Sequence, residues 1–366
     1  QKLHLMKHIY YNKRGSSYAN SGEFDKAISF YEKAISIKSN YAEAYYNLGY
    51  SFHKLGQLDK AVRSYKKVVE IKPDYAETHS NKILSVICYF SKDQVPDALD
   101  LLNILIKDST EDALLFNMLG GCYASLGQLD MAIENYEMAL KYKPNYAIPQ
   151  HMLNSLTGNT SKEPPKEYVK NLFDDYAERF DDSLVGQLQY SLPFIIKELI
   201  LKLNTKLKYN KVIDLGCGTG LAGSDLRQIS ENLTGVDLSE NMVAKAKELA
   251  IYDSLMVGDI VEKLDSSKEK YDLFVALDVF IYIGEPTSIF KAVKRCSNKN
   301  SLFIFSIETQ EDEGYSLLKS SRYAHSDSYI LDVASNGFTL VDSQSVQLRK
   351  EGNDWVNGKI YILKSS

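Results

Sequence analysis

A near-repeat of 34 residues runs through the first half of the chain and limits its fold more than any other feature. The stretch YYNLGYSF at 45–52 aligns with FNMLGGCY at 116–123, and Gly15, Gly49 and Gly120 mark equivalent points. Gly15 and Gly49 lie 34 residues apart, while Gly49 and Gly120 lie 71 apart, two periods plus an insertion of 3. The second half of each unit recurs as well: Ala27, Tyr31 and Ala34; Ala61, Tyr65 and Val68; Ala132, Tyr136 and Ala139. GQLDKA at 56–61 and GQLDMA at 127–132 occupy the same turn, and Pro73 and Pro144 close two units at the same phase. Small residues at Gly49 and Ala61 let two helices approach, bulky Phe52 and Tyr65 fill the space around them, and proline ends the second helix because it has no N–H to donate. A period of this length means stacked helix pairs that bury their apolar faces only against one another.

The unit resembles the tetratricopeptide repeat. Four units are expected over about 8–41, 42–75, 76–112 and 113–146, followed by a capping helix at 147–156, so that this domain covers 1–157. The third unit is degenerate, with Ile83 at the glycine position and 92–96 lengthening the turn. Such an array has no chemistry of its own. Its surface either holds a protein or peptide partner, or serves as a scaffold for the second domain or for self-association. His53, His79 and His151 are isolated and read as surface or packing residues.

The whole chain, at 366 residues, is too long for one compact domain, and its 44% hydrophobic and 25% charged residues are those of a globular protein. Its most apolar run, 192–203, is too short for a membrane span and carries Lys197 and Glu198. The net charge of −5 leaves neither half basic, which argues against nucleic-acid or anionic-membrane binding. Cys88, Cys122, Cys217 and Cys296 form no CxxC pair, and no His/Cys/carboxylate cluster has ligand spacing, so neither a disulfide framework nor a metal is expected. No secretory segment is evident, although the chain opens on Gln1 rather than Met, as a fragment would; the expected location is the cytoplasm.

A polar, turn-rich stretch at 157–165 marks the domain boundary. Helical periodicity then resumes in Tyr168, Leu172, Phe173, Tyr176, Phe180, Leu184 and Leu188, and Pro193 precedes another apolar helix. This linker and prelude, 158–205, serves either as a lid over a ligand or as packing against a sheet.

From residue 206 the pattern becomes α/β. Short β-rich runs at 211–215, 233–236, 254–257, 271–277 and 301–307 alternate with helical stretches, which implies a parallel, doubly wound sheet. Two more runs, 338–344 and 358–363, flank a turn at 351–354 and read as a hairpin, giving seven strands with one antiparallel. The loop after the first strand is DLGCGTG at 214–220, whose glycines let the backbone pass close beneath a ligand at the switch point of the sheet. Asp237 ends the second strand, where a carboxylate can accept from both hydroxyls of a ribose; Asp259 follows the third, where it can accept from an exocyclic amine of adenine. GTGLAG at 218–223 spells GxGxxG, so a nicotinamide dinucleotide is open on that motif alone. S-adenosylmethionine is favoured by Asp214 ahead of the glycines, placed to match an ammonium, by glycines that begin at the strand end, and by the closing hairpin.

VIDLGCGTG at 212–220, GVDLSENMV at 235–243, VGDI at 257–260 and YDLFVALDVFIYIG at 271–284 resemble class I S-adenosylmethionine-dependent methyltransferases. NLFDDYAERFDDSLVGQLQYSLP at 171–193, SRYAHSDSYI at 321–330 and LRKEG at 348–352, together with the repeats, resemble bacterial methyltransferases with N-terminal tetratricopeptide repeats; Ser183 and Ser191 depart from that pattern, with a histidine and a basic residue expected there. The resemblance implies Asp214, Gly216, Gly218 and Gly220 at the methionine part of S-adenosylmethionine, Asp237-Leu238 at the ribose, Met242 on the adenine face, Asp259-Ile260 at its rim and Leu277-Asp278 near the methyl group. Tyr176 and Phe180 are candidates for closing the site.

Methyl transfer asks a protein to align an acceptor and exclude water, with a general base only for an acceptor that carries a proton. The acceptor-side candidates are Asp278, Tyr282, Arg322, Tyr323 and His325. His325 could act as a base and Arg322 could anchor an acidic acceptor, or His325 and Ser326 could merely cap the following helix. Alternatively the chain is a non-catalytic interaction scaffold whose second, methyltransferase-like domain only senses the cofactor or is degenerate.

Overall fold

The computed structural model describes residues 7–72, 95–108, 110–177, 180–181, 192–203, 208–351 and 354–366. Pro73, His79, Ile83, Cys88, Ser183, Leu184, Leu188 and Ser191, and with them the first half of the third repeat, lie outside those residues. The chain divides into two compact units, Gln1–Leu153 and Asn154–Ser366.

In the first unit the repeat becomes helix pairs: Lys7–Asn20 with Phe24–Ile37, Ala42–Lys54 with Leu58–Ile71, and Ala113–Ser125 with Leu129–Tyr142, besides the helix Val95–Asp108. The conserved phase of the sequence has one steric cause. Tyr31, Tyr65 and Tyr136, all within 1% of complete burial, lay their rings on Gly15, Gly49 and Gly120. A Cβ on those glycines would stand 2.5–2.7 Å from the ring carbons, so the first helix of each pair can approach its partner only where no side chain intervenes. The turn glycines Gly22, Gly56 and Gly127 share φ between +68° and +78°, a left-handed corner that joins the two helices of each unit.

The second unit holds a nine-stranded sheet: β1 Tyr209–Leu215, β2 Ser230–Asp237, β3 Ser254–Val257, β4 Tyr271–Ala276, β5 Ser297–Thr309, β6 Tyr315–Leu317, β7 Tyr323–His325, β8 Phe338–Glu351 and β9 Asp354–Ser365. The order β3-β2-β1-β4-β5 is parallel, β9 joins β5 antiparallel and β8 pairs with β9, as the doubly wound pattern and closing hairpin predict. The sheet exceeds the expected seven strands by β6 and β7. These are three-residue strands: β7 runs parallel to β5 at Glu308 and Thr309, and β6 is antiparallel to β7. They are too short to leave an alternating signature in sequence.

Alternation assigns the two faces of the sheet. Ile213, Leu215, Phe274, Ala276, Phe303, Phe305 and Ile307 point into one buried cluster, covered by the helices Ile260–Ser266, Thr287–Cys296 and Asp327–Ser335. Val212, Leu273, Val275, Ile304, Ile360 and Ile362 point into the other, covered by Leu192, Ile196, Leu199 and Ile200 of the helix Leu192–Leu203. The two prelude helices thus divide the roles foreseen for them: Leu192–Leu203 packs on the sheet, whereas Lys166–Tyr176 borders the carboxyl ends of the strands.

Candidate functional site

A cavity of about 390 Å³ opens where β1, β2, β3 and β4 end. Asp214, Gly216, Gly218, Asp237, Leu238, Asp259, Ile260, Leu277 and Asp278 line it from the sheet, and Tyr176 and Phe180 from the prelude. Of the residues expected on the cofactor side, Gly220 and Met242 stand behind this lining. Gly220 closes the loop turn through its N–H, which donates to the Cys217 carbonyl at 2.9 Å, and Met242 is fully buried in the helix Glu240–Glu248.

The parallel register aligns the first two carboxylates. Asp214 pairs with Gly235 and Leu215 with Val236, so Asp237 lies just beyond the end of β1. Asp237 binds the glycine loop to its own strand end: Oδ2 accepts from the Gly218 N–H at 2.9 Å and Oδ1 from the Ser239 N–H at 2.9 Å. Burial raises its pKa and these backbone donors oppose the rise. Asp214 accepts at Oδ2 from the Tyr252 hydroxyl at 2.8 Å. Burial pushes its pKa up to about 7, against the pull of Tyr252. Asp259 caps the helix Ile260–Ser266, accepting from the Glu262 N–H at 3.0 Å, and its Oδ2 lies 3.2 Å from Lys166 Nζ.

The prelude helix is tied down beside these groups. Ser239 Oγ donates to Asp174 Oδ1 at 2.6 Å and Asn241 Nδ2 to the Asp174 carbonyl at 3.0 Å. Phe173 meets Tyr282 edge-on at 5.2 Å between ring centres, and Tyr176 meets Phe180 at 5.5 Å, so aromatic edges form the wall facing the carboxylates.

On the acceptor side, Asp278, Tyr282 and Arg322 line the cavity, whereas Tyr323 and His325 do not. Both lie in β7, fully buried. The Tyr323 hydroxyl shares a hydrogen bond with Ser161 Oγ at 2.7 Å, and His325 Nε2 lies 3.0 Å from the Gly284 carbonyl. Burial depresses the His325 pKa to about 4, which keeps the ring neutral. The helix-capping role falls to Ser326, whose Oγ accepts from the Tyr329 N–H at 3.3 Å. The sequence had shown no reason to single out Arg349, although LRKEG carries it. Its side chain is 2% exposed and lines the cavity beside Asp278. No local pattern marks Tyr252, the partner of Asp214, either.

An α/β sheet with a glycine loop and acidic strand ends gathered on one cavity defines a nucleoside-binding class of domain. Residues 206–339 match the family model of a methyltransferase domain, and 15–56, 42–75 and 113–146 match tetratricopeptide-repeat models. The chain thus joins tetratricopeptide repeats to a methyltransferase domain. Among curated relatives, the ubiquinone biosynthesis O-methyltransferase of Glaesserella parasuis serovar 5 is 23% identical over 116 residues, 30% of this chain and 49% of the relative. That of Methylococcus capsulatus is 24% identical over 121 residues, 32% of this chain and 51% of the relative. The chain spans about half the length of these relatives. Among solved structures, magnesium protoporphyrin IX methyltransferase from Synechocystis PCC 6803 with bound SAH aligns with a TM-score of 0.44 at 19% identity, covering 55% of this chain and 100% of that one.

Proposed function

We propose that the second unit transfers a methyl group from S-adenosylmethionine to an acceptor, and that the repeats recruit or orient a protein or peptide partner. The observation that carries this reading is the convergence of Asp214, Asp237 and Asp259, from the ends of three neighbouring parallel strands, on one cavity with an aromatic wall. The residues present suit the cofactor. A Cβ on Gly216, which has φ +72°, would stand 2.5 Å from Val279 Cγ2, so the loop can lie there only as bare backbone. Asp214 is the counter-charge for the ammonium, Asp237 keeps lone pairs beyond its two backbone bonds for ribose hydroxyls, and Asp259-Ile260 border the base.

When bound, S-adenosylmethionine supplies a methyl carbon activated by a sulfonium. The protein's own task is to hold the nucleoside, exclude water with Phe173, Tyr176 and Phe180, and present the acceptor from the Asp278, Tyr282 and Arg322 end. Tyr323 and His325, fully buried in β7, do not line the cavity and serve the fold around it. On this reading the repeats take 1–157, the linker and prelude 158–205, and the methyltransferase domain 206–366. Among the described residues no helix is long and apolar enough to cross a membrane, which is compatible with work in the cytoplasm.

Calorimetric titration of the full chain tests the reading: saturable binding of S-adenosylmethionine and none of NAD is expected. Labelled methyl groups should then enter an acceptor in cell extract with the full chain, and much less with residues 154–366 alone. Binding without any labelling would favour the scaffold alternative over catalysis.

A further inference from the structure

In the cavity lining, one polar atom on each of two neighbouring side chains, Asp278 and Arg349, has no hydrogen-bond partner. Arg349 Nη2 donates to Glu308 Oε2 at 2.9 Å and to Glu351 Oε1 at 3.2 Å, and Nε to Glu351 Oε1 at 3.3 Å. Nη1 makes no hydrogen bond; it lies 3.6 Å from Asp278 Oδ2. Asp278 Oδ1 likewise has no partner, although its side chain is only 16% exposed. Asp278 is also held at φ +53°, a left-handed conformation uncommon outside glycine, with its N–H donating to Ser306 Oγ at 2.9 Å. One buried donor and one buried acceptor are therefore left open together in the lining of one cavity, each at the cost of its lost hydration.

We propose that Asp278 and Arg349 receive a hydroxyl group, so that the methyl acceptor is an alcohol or phenol. A hydroxyl donates its proton to Asp278 Oδ1, accepts from Arg349 Nη1 with one lone pair, and keeps the second lone pair for the methyl carbon. A neutral amine has a single lone pair, which Arg349 would occupy. A carboxylate has no proton for Asp278, and it would enter a cluster in which Asp278, Glu308 and Glu351 already outnumber Arg322 and Arg349. This sets aside the acidic acceptor that Arg322 suggested in sequence, because Arg322 is already paired with Glu351. Tyr282 and Phe173, packed edge to face beside this pair, suit an apolar body carrying the hydroxyl. In the transfer the acceptor oxygen bonds the methyl carbon as the donor's carbon–sulfur bond breaks with its electrons on sulfur, and the hydroxyl proton passes to the Asp278 carboxylate.

This assignment deepens the methyl-transfer reading and rests on it, so the test separates the two. Calorimetry with S-adenosylhomocysteine on the full chain comes first; no binding would overturn both. With that ligand saturating, ligand-observed NMR titrations of phenol, anisole, benzoate and aniline rank the probes on the unaltered protein. Phenol is expected to bind about tenfold more tightly than anisole, which lacks the proton, and more tightly than benzoate or aniline. Asp278→Asn, measured with S-adenosylhomocysteine kept saturating at the variant's own affinity, should erase the preference of phenol over anisole. Equal binding of phenol and anisole, or a preference for benzoate or aniline, overturns the hydroxyl assignment and leaves the cofactor reading standing. A labelled product from extract should also withstand mild alkali, as an ether does; release of labelled methanol would mark a carboxyl ester and a wrong acceptor class.

Discussion

The Tyr252 hydroxyl donates to Asp214 Oδ2 across 2.8 Å, and it opposes the burial that carries this carboxyl up to about 7. Asp214 therefore changes charge near neutrality. A ligand ammonium is held by the ionised form, so cofactor affinity should rise as pH climbs towards 7. Below that point the slope should approach about tenfold per pH unit. Tyr252→Phe removes a bond that favours the charged form, and the rise should move to higher pH. Calorimetry with S-adenosylhomocysteine between about pH 5.5 and 7.5, below the range where the ligand amine itself titrates, measures both effects. An affinity independent of pH would remove Asp214 from ammonium binding.

Asp214 and His325 should also act against each other in the stability of the fold. Asp214 has a raised folded pKa, so below about 7 the native state holds a proton that the unfolded state releases, and stability falls as pH rises from near 4 towards 7. His325 is the reverse case. Its folded pKa is depressed to about 4, so as pH falls below 6.5 the unfolded state takes up a proton that the native state refuses, and stability is lost. The two slopes overlap and oppose each other between about pH 4 and 6.5. Asp214→Asn should expose the loss due to His325, giving a limb that steepens by up to about 1.4 kcal/mol per pH unit below 6.5. Urea melts at several pH values read this slope; no change on replacing Asp214 would refute the compensation.

For Asp237 the prediction concerns the amide as much as alanine. Both carboxylate oxygens accept from backbone N–H groups, those of Gly218 and Ser239, each at 2.9 Å. Asparagine has only one acceptor oxygen, so its NH2 would face one of these donors. Asp237→Asn should therefore weaken cofactor binding about as much as Asp237→Ala, at least about tenfold. An asparagine variant with native affinity would mean that charge and geometry at this strand end are dispensable.

His325→Ala should lower stability by about 1–3 kcal/mol, because it leaves the Gly284 carbonyl without its partner, and should leave cofactor affinity unchanged. A variant that melted normally but turned over far more slowly would restore the direct catalytic role its sequence position suggested.

Legibility in the sequence followed the range over which each feature is encoded. The repeat was visible because Gly49 and Tyr65 recur 16 residues apart, as Gly120 and Tyr136 do, within one helical pair. Asp214, Asp237 and Asp259 were visible because each sits at, or within two residues of, the end of its own short apolar run. Arg349 was not, since nothing local in β8 distinguishes a buried arginine from an exposed one; only the pairing of β8 with β9, and of β9 with β5, brings it to Glu308 and Asp278. His325 misled for a related reason. RYAH reads as an open loop, yet the three residues of β7 place His325 opposite Thr309 on one side and Tyr315 on the other, which closes it from the cavity.

The glycine–tyrosine contacts of the repeats allow a test independent of any ligand. A Cβ at Gly49 would sit 2.7 Å from Tyr65 Cε1 and 2.8 Å from Cδ1, on the body of a buried ring that has no free rotation away from it. Helix propensity alone favours alanine over glycine by about 0.8–1.0 kcal/mol, so the two effects oppose each other and the sign of the result reports which prevails. Overpacking of this kind costs about 1–3 kcal/mol, and Gly49→Ala should be destabilising on balance. Replacing Tyr65 by leucine shortens the side chain where the clash falls; in the Gly49→Ala background it should therefore cost less than in the unaltered protein. A double-mutant cycle on thermal or urea unfolding measures that coupling. Additive effects would mean that the ring does not seat on Gly49, and the steric account of the repeat period would fail with it.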